Sequence, residues 1–210
     1  MSAQAGITLF WLPLGAGGHS VRWNGRIYEA ACALLERRAA VDLYHSALQV
    51  SLPPDAWVVE MTPVWADRSG GARGVVAEGA VGSRLAGRSR LFRYEVHCWH
   101  GGSIADVAEA VGSPTRLSSD ERTCRRLLAT LPSVPTPVWG RDELGTGEMW
   151  NSNSVTAWSL ARSGLDPLAV GPPAGGRAPG WSAGVVAARR LPAAAATPTE
   201  QGRRPEQLER

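Results

Sequence analysis

Apolar and polar positions along the chain fall into short blocks whose period switches between two and about 3.6, the mark of mixed strands and helices. The first block, GITLFWLPL from Gly6, is apolar and partly β-branched and predicts an N-terminal strand. Asn24-Gly25 between short alternating segments (SVRWNGRIYEA) predicts a tight hairpin turn. Residues 29–38 (EAACALLERR) carry an apolar stripe of Ala30, Ala33 and Leu34 with arginines in the last turn, which predicts a helix. Residues 45–52 (HSALQVSL) and 57–61 (WVVEM) flank Pro53-Pro54-Asp55 and predict two strands joined as a hairpin. Residues 67–90, rich in Gly, Ser and Arg, read as an exposed excursion, after which residues 91–99 (LFRYEVHCW) return to strand character.

In the second half, Ser118-Ser119-Asp120-Glu121 has the spacing of a capping box and predicts a helix running to about residue 131. Pro132, Pro135 and Pro137 predict an extended, exposed connection. Residues 152–163 predict a second helix with Gly164 at its C-terminal stop, followed by a loop over residues 171–180. From residue 187 onward there is no aromatic residue and little to bury, so a disordered tail is expected over 187–210. The expected organisation is therefore one α+β domain over residues 1–186 followed by that tail, with no internal repeat.

Composition narrows the class. A chain of 210 residues suits one domain, and a hydrophobic fraction of 44% excludes wholesale disorder. No apolar run approaches the roughly 18 residues of a membrane span. Three cysteines without a Cys-x-x-Cys spacing argue against a disulfide scaffold or structural zinc and fit a reducing compartment. Residues 6–18 are apolar enough for an export signal, but the first basic residue is Arg22, so the charged segment that should precede them is missing and a cytoplasmic location is expected. All 22 basic residues are arginine, which together with abundant Ala, Gly and Pro reads as GC-rich bacterial coding. A net charge of +3 on scattered arginines does not favour nucleic-acid binding, which wants a basic stripe with interleaved aromatics.

Several candidate sites are weak. Gly15-Ala16-Gly17-Gly18 lacks the Gly-Lys-Ser/Thr ending of a phosphate loop and reads as an ordinary loop, with His19 at the surface. His97, Cys98 and His100 look like a metal cluster, but strand alternation sends His97 to one face and the other two to the opposite face, so no metal is expected. The nine tryptophans share no spacing and read as core. The segment from Met149 to Trp158 (MWNSNSVTAW) is more informative. It places small polar residues where a helix exposes unbonded N–H groups and the positive end of its dipole. Two readings compete: Ser152 is a nucleophile whose oxyanion is stabilised there, or Asn151 or Ser152 is an N-cap. His45 at a strand start and Glu60 on the returning strand supply the other parts of a Ser/His/acid arrangement, their bland alternatives being a half-buried strand histidine and a solvent-facing carboxylate.

Asn151-Ser152-Asn153-Ser154 leading into an apolar helix, and the strand His45-Ser46-Ala47-Leu48-Gln49-Val50, resemble the circularly permuted papain-like hydrolases. These include the lecithin–retinol acyltransferase group, the desumoylating isopeptidases and bacterial relatives of the cell-wall peptidases. The resemblance spans residues 41–62 and 138–165. It implies an antiparallel sheet with the nucleophile helix packed on it, and an enzyme that cuts or transfers an amide or ester bond without a cofactor. Ser152 would occupy the nucleophile position, His45 would act as base and Glu60 would hold the imidazole. The N–H groups of Ser152 and Asn153, with Gln49, would stabilise the oxyanion, and Asn151 would line the cleft. The substrate would be a peptide, a lipid or another acyl compound. The family's cysteine is replaced by Ser152, and none of Cys32, Cys98 and Cys124 lies at a matching helix start. A serine must lose its proton to a base during attack, so the alternative is an inactive module on the same scaffold that binds a peptide or lipid.

Overall fold

Strand segments whose bulky residues recur at every second position need a sheet with one face against a core. The structure, a computed structural model, describes residues 4–14, 41–64, 74–104, 107–112 and 114–190. Within these, β1 (Gly6–Pro13), β2 (Tyr44–Leu52), β3 (Asp55–Pro63), β4 (Val75–Ala80), β5 (Arg93–His100) and β6 (Thr115–Ser118) form one antiparallel sheet in the order β4-β5-β3-β2-β1-β6. The hairpin read around Pro53-Pro54 is β2–β3, in register from Leu48 opposite Val59 to Leu52 opposite Asp55.

Three helices lie among the described residues: α1 (Glu121–Thr130), α2 (Ser152–Ser163) and α3 (Trp181–Arg190). One face of the sheet is covered by them. Ile7, Leu9 and Trp11 of β1, Tyr44, Leu48, Val50 and Leu52 of β2, and Val59 of β3 pack with Cys124 and Leu127 of α1 and Leu160 of α2. Beside them Met61, Tyr94 and Val96 pack with Trp150, Val155, Trp158 and Ala187. The opposite face carries Phe10, Leu12, Ala47 and Val58 with Ile104.

α2 is central and is buried almost all round from Asn153 to Leu160. Its hydroxyls tolerate this because they bond back to the helix: Ser159 Oγ donates to Val155 O (2.7 Å) and Ser163 Oγ to Leu160 O (2.8 Å). Gly164 ends it at φ +91°, a left-handed position suited to glycine, and Leu165 N–H closes on Leu160 O at 3.0 Å.

Several expectations are corrected. The cap of α1 is Asp120, whose carboxylate accepts from Thr123 N (2.8 Å) and Thr123 Oγ (2.6 Å). Ser118 ends β6, and its Oγ accepts from Asp120 N. The excursion expected over 67–90 contains β4, which opens on Val75-Val76 and continues through the weak strand formers Ala77 to Ala80, held to β5 by backbone bonds. The proline-rich connection is extended but not exposed. Leu131–Ser133 is a 3₁₀ turn, Val134 and Val138 are buried, and Pro137 O accepts from the buried Tyr94 hydroxyl at 2.8 Å. The boundary drawn at residue 187 falls inside α3, where Ala187 is fully buried. Small residues make α3 close-packing rather than bulky: a Cβ on Gly184 would collide with the Ser154 carbonyl of α2. The Asn24-Gly25 hairpin, the helix over 29–38, the glycine loop with His19, Cys32 and residues 191–210 lie outside the described residues.

That contact makes a test. Alanine ordinarily gains about 1 kcal/mol over glycine inside a helix. Here Gly184→Ala forces two helices apart and should instead lower stability by about 2 kcal/mol, read from urea unfolding.

Candidate functional site

The start of α2 is built around two asparagines. Asn151 is the N-cap: its Oδ1 accepts from Asn153 N (2.9 Å) and Ser154 N (3.4 Å), and its own N–H donates to Ser154 Oγ (3.0 Å), completing a reciprocal cap. Ser154 Oγ donates onward to Gly180 O at 2.7 Å. Asn153, 2% exposed, reaches away from the helix. Its Nδ2 donates to Tyr44 O and Pro179 O, both at 2.9 Å, and its Oδ1 accepts from Ser46 Oγ at 2.8 Å. Pro179 O also accepts from Asn151 Nδ2 at 2.8 Å. One buried junction thus joins β2, the first turn of α2 and the turn leading into α3. Gly180 (φ +87°) allows this approach, because a Cβ there would strike the Asn151 amide. Ser152 is half-buried, and its hydroxyl takes part in no hydrogen bond among the described residues.

The expected partners of Ser152 lie elsewhere. Ser46 faces α2, so strand alternation sends His45, Ala47 and Gln49 out of the opposite face. His45 stands opposite Leu12 and Gln49 opposite Val58, both on the side of the Phe10–Ala47 cluster. Glu60 shares this face, directly opposite His97 of β5. The structure therefore brings Asn151 and Asn153 together at the helix start, and gathers His45, Gln49 and Glu60 on the far side of the sheet. It does not bring His45 to Ser152. The signal was present in the sequence: Tyr44, Leu48, Val50 and Leu52 share one parity, and His45 is out of phase with them. The same parity places Ser46 with the buried residues of β2, whereas Pro179 and Gly180 reach the site from a turn, through contacts 26 to 28 positions long that no local pattern reveals.

The far face also holds His97, which is fully buried, with Nε2 at 3.2 Å from Thr62 Oγ1 and 3.5 Å from Glu95 Oε2. Cys98 points to the helix-covered face, and burial raises its thiol to about 11. His100 stands at the rim, against the Trp57 ring (5.2 Å) and Asp55 Oδ1 (2.9 Å). The three are split as alternation requires. Among the described residues no group of three His, Cys, Asp or Glu side chains is placed to hold a metal.

The loop before α2 is braced by carboxylates. Asp142 accepts from Thr146 N (2.9 Å) and Gly147 N (2.8 Å), and the Thr146 N–H in particular holds its carboxyl below the ordinary value. Glu143 takes both arms of the Arg84 guanidinium (3.1 and 3.0 Å) and the Val138 N–H (3.1 Å). Partial burial works against its charge, yet these donors hold it below the ordinary value. Glu148 accepts from Ser182 N in the first turn of α3 (2.9 Å).

No protein-family model, curated protein or solved structure matches the chain.

Two outcomes are expected. Asn153→Ala removes the partner of the buried Ser46 hydroxyl and the amide donor to Tyr44 O, while Pro179 O keeps Asn151 Nδ2, and should cost about 3 kcal/mol in urea unfolding. The lowered carboxyls of Asp142 and Glu143 contribute stability that is complete above about pH 5 and is lost as pH falls through their folded values. The urea midpoint should hold from neutrality to that point and then drop, with a smaller drop in Glu143→Gln.

Proposed function

We propose that this chain is a non-catalytic binding module that keeps the permuted papain-like order of strands and helix, without its chemistry, and that its ligand is a peptide or lipid. The order supports the scaffold: β2 and β3 precede α2, and α2 packs on the sheet they form. The observation that carries the reading is that serine, not histidine, is the residue of β2 facing the helix start, with its hydroxyl bonded to Asn153. A serine nucleophile needs a base within hydrogen-bond reach, and His45 leaves the sheet on the other side. Two of the three expected oxyanion donors fall away too, since Asn153 N–H is taken by Asn151 Oδ1 and Gln49 is on the far face, which leaves the Ser152 N–H alone.

One observation favours the competing hydrolase: the Ser152 hydroxyl is free of hydrogen bonds among the described residues at a helix N-terminus. The two separate cleanly by reactivity. A fluorophosphonate probe should leave Ser152 unlabelled. In Ser152→Cys, the introduced thiol should react with iodoacetamide at a rate that His45→Ala does not change. Burial raises the pKa values of Cys98 and Cys124, which slows their alkylation, and the rate is measured in a Cys32→Ser background. Labelling of Ser152 that disappears in His45→Ala would restore the hydrolase.

A further inference from the structure

The connection from β4 to β5, residues 81–92 (VGSRLAGRSRLF), has no part in the junction at α2. It is two successive 3₁₀ turns, Ala86–Arg88 and Arg90–Phe92. Its backbone is well bonded: Val81 N to Phe92 O (2.8 Å) closes the base, and Gly87 N to Ser83 O, Ser89 N to Ala86 O and Phe92 N to Ser89 O hold the turns. Ser83 Oγ accepts from Ala86 N (3.1 Å), and Gly87 lies close on Ala80, where a Cβ would sit 2.5 Å from the Ala80 Cβ. Arg84 anchors the arm to the loop before α2 through Glu143.

This ordered arm nonetheless holds its largest apolar side chains in water: Leu85 is 72% exposed, Leu91 66% and Phe92 50%. Neither turn buries a residue. Packing among the described residues therefore does not account for Leu and Phe at these positions. The arm is also cationic throughout, with Arg84, Arg88 and Arg90 and no carboxylate. Arg88 and Arg90 form no ion pair among the described residues. Exposed Leu and Phe interleaved with unpaired guanidinium groups match the boundary of an anionic bilayer, where apolar groups enter the acyl region and arginines meet lipid phosphates.

We propose that this arm docks the protein on anionic membrane surfaces, with Leu85, Leu91 and Phe92 entering the interface and Arg88 and Arg90 contacting headgroup phosphates. The attachment is peripheral, since no helix among the described residues is long and apolar enough to span a membrane. It does not depend on what Ser152 does.

Sedimentation with lipid vesicles tests it. The full chain should bind phosphatidylcholine vesicles containing about one third phosphatidylserine and leave pure phosphatidylcholine largely unoccupied, since each basic residue gains about a further kcal/mol near an anionic surface. Arg88→Glu/Arg90→Glu should lower partitioning at least about tenfold. Leu85→Ser/Leu91→Ser/Phe92→Ser should lower it comparably with charge unchanged. Both variants alter exposed side chains, and unchanged urea midpoints would establish that they fold. No preference for anionic vesicles, or full binding by either folded variant, would overturn the proposal. Retention on a polyglutamate resin by the apolar variant, with no vesicle binding by the parent, would make the arm a site for acidic polypeptides instead.

Discussion

The amide of Asn153 is the constraint on which the arrangement of the other parts depends. A primary amide offers two donors and an acceptor, and in a site that excludes water each must find a partner inside the protein. Ser46, Tyr44 and Pro179 meet that need from two separate parts of the chain. The position of α2 over β2 is thereby set by directional bonds, whereas the surrounding Leu, Val and Trp contacts tolerate sliding. The turn before α3 is fixed to the same point, so sheet, central helix and last helix share one reference.

That constraint also decides what the helix start is available for. The features that favour a reactive oxygen, free N–H groups and a positive dipole end, are the same ones a cap satisfies. Here Asn151 and Ser154 use them structurally. Among the described residues, Ser152 is left at this terminus with a hydroxyl that no hydrogen bond employs. The polar side chains on the opposite face form a separate neighbourhood, with His97 buried between Thr62 and Glu95 and Glu60 across from it.

The elements most legible in the sequence were those with abrupt ends. Pro53-Pro54 marks the β2–β3 turn, and Gly164 stops α2, because each residue type restricts or frees the backbone locally. α3 was hidden because its contacts are made by Ala183, Gly184 and Ala187, whose value lies in their smallness and in what they face. β4 was hidden among glycines and arginines, since an edge strand is held by its neighbour's backbone. At the site, residue types were readable but facing was not. Asn151 at a helix start could be recognised as a cap, whereas the pairing of His45 with Ser152 required a parity that the bulky residues of β2 contradict. Asn153 with Ser46 lies 107 positions apart, beyond any local pattern.

The two ends of the sheet share a property with consequences beyond the single molecule. β6 has only four residues and carries Arg116, whose guanidinium bonds to Ala5 O beside the adjoining strand. β4 has an irregular register between Val75 and Ala77, and beyond Ala80 it gives way to the turns of the arm. Among the described residues, neither margin presents a long flat row of unsatisfied amides on which a foreign strand could template itself. Growth by strand addition, the first step toward fibrils, is therefore discouraged at both borders, which lets a sheet this wide persist at high concentration without recruiting other copies.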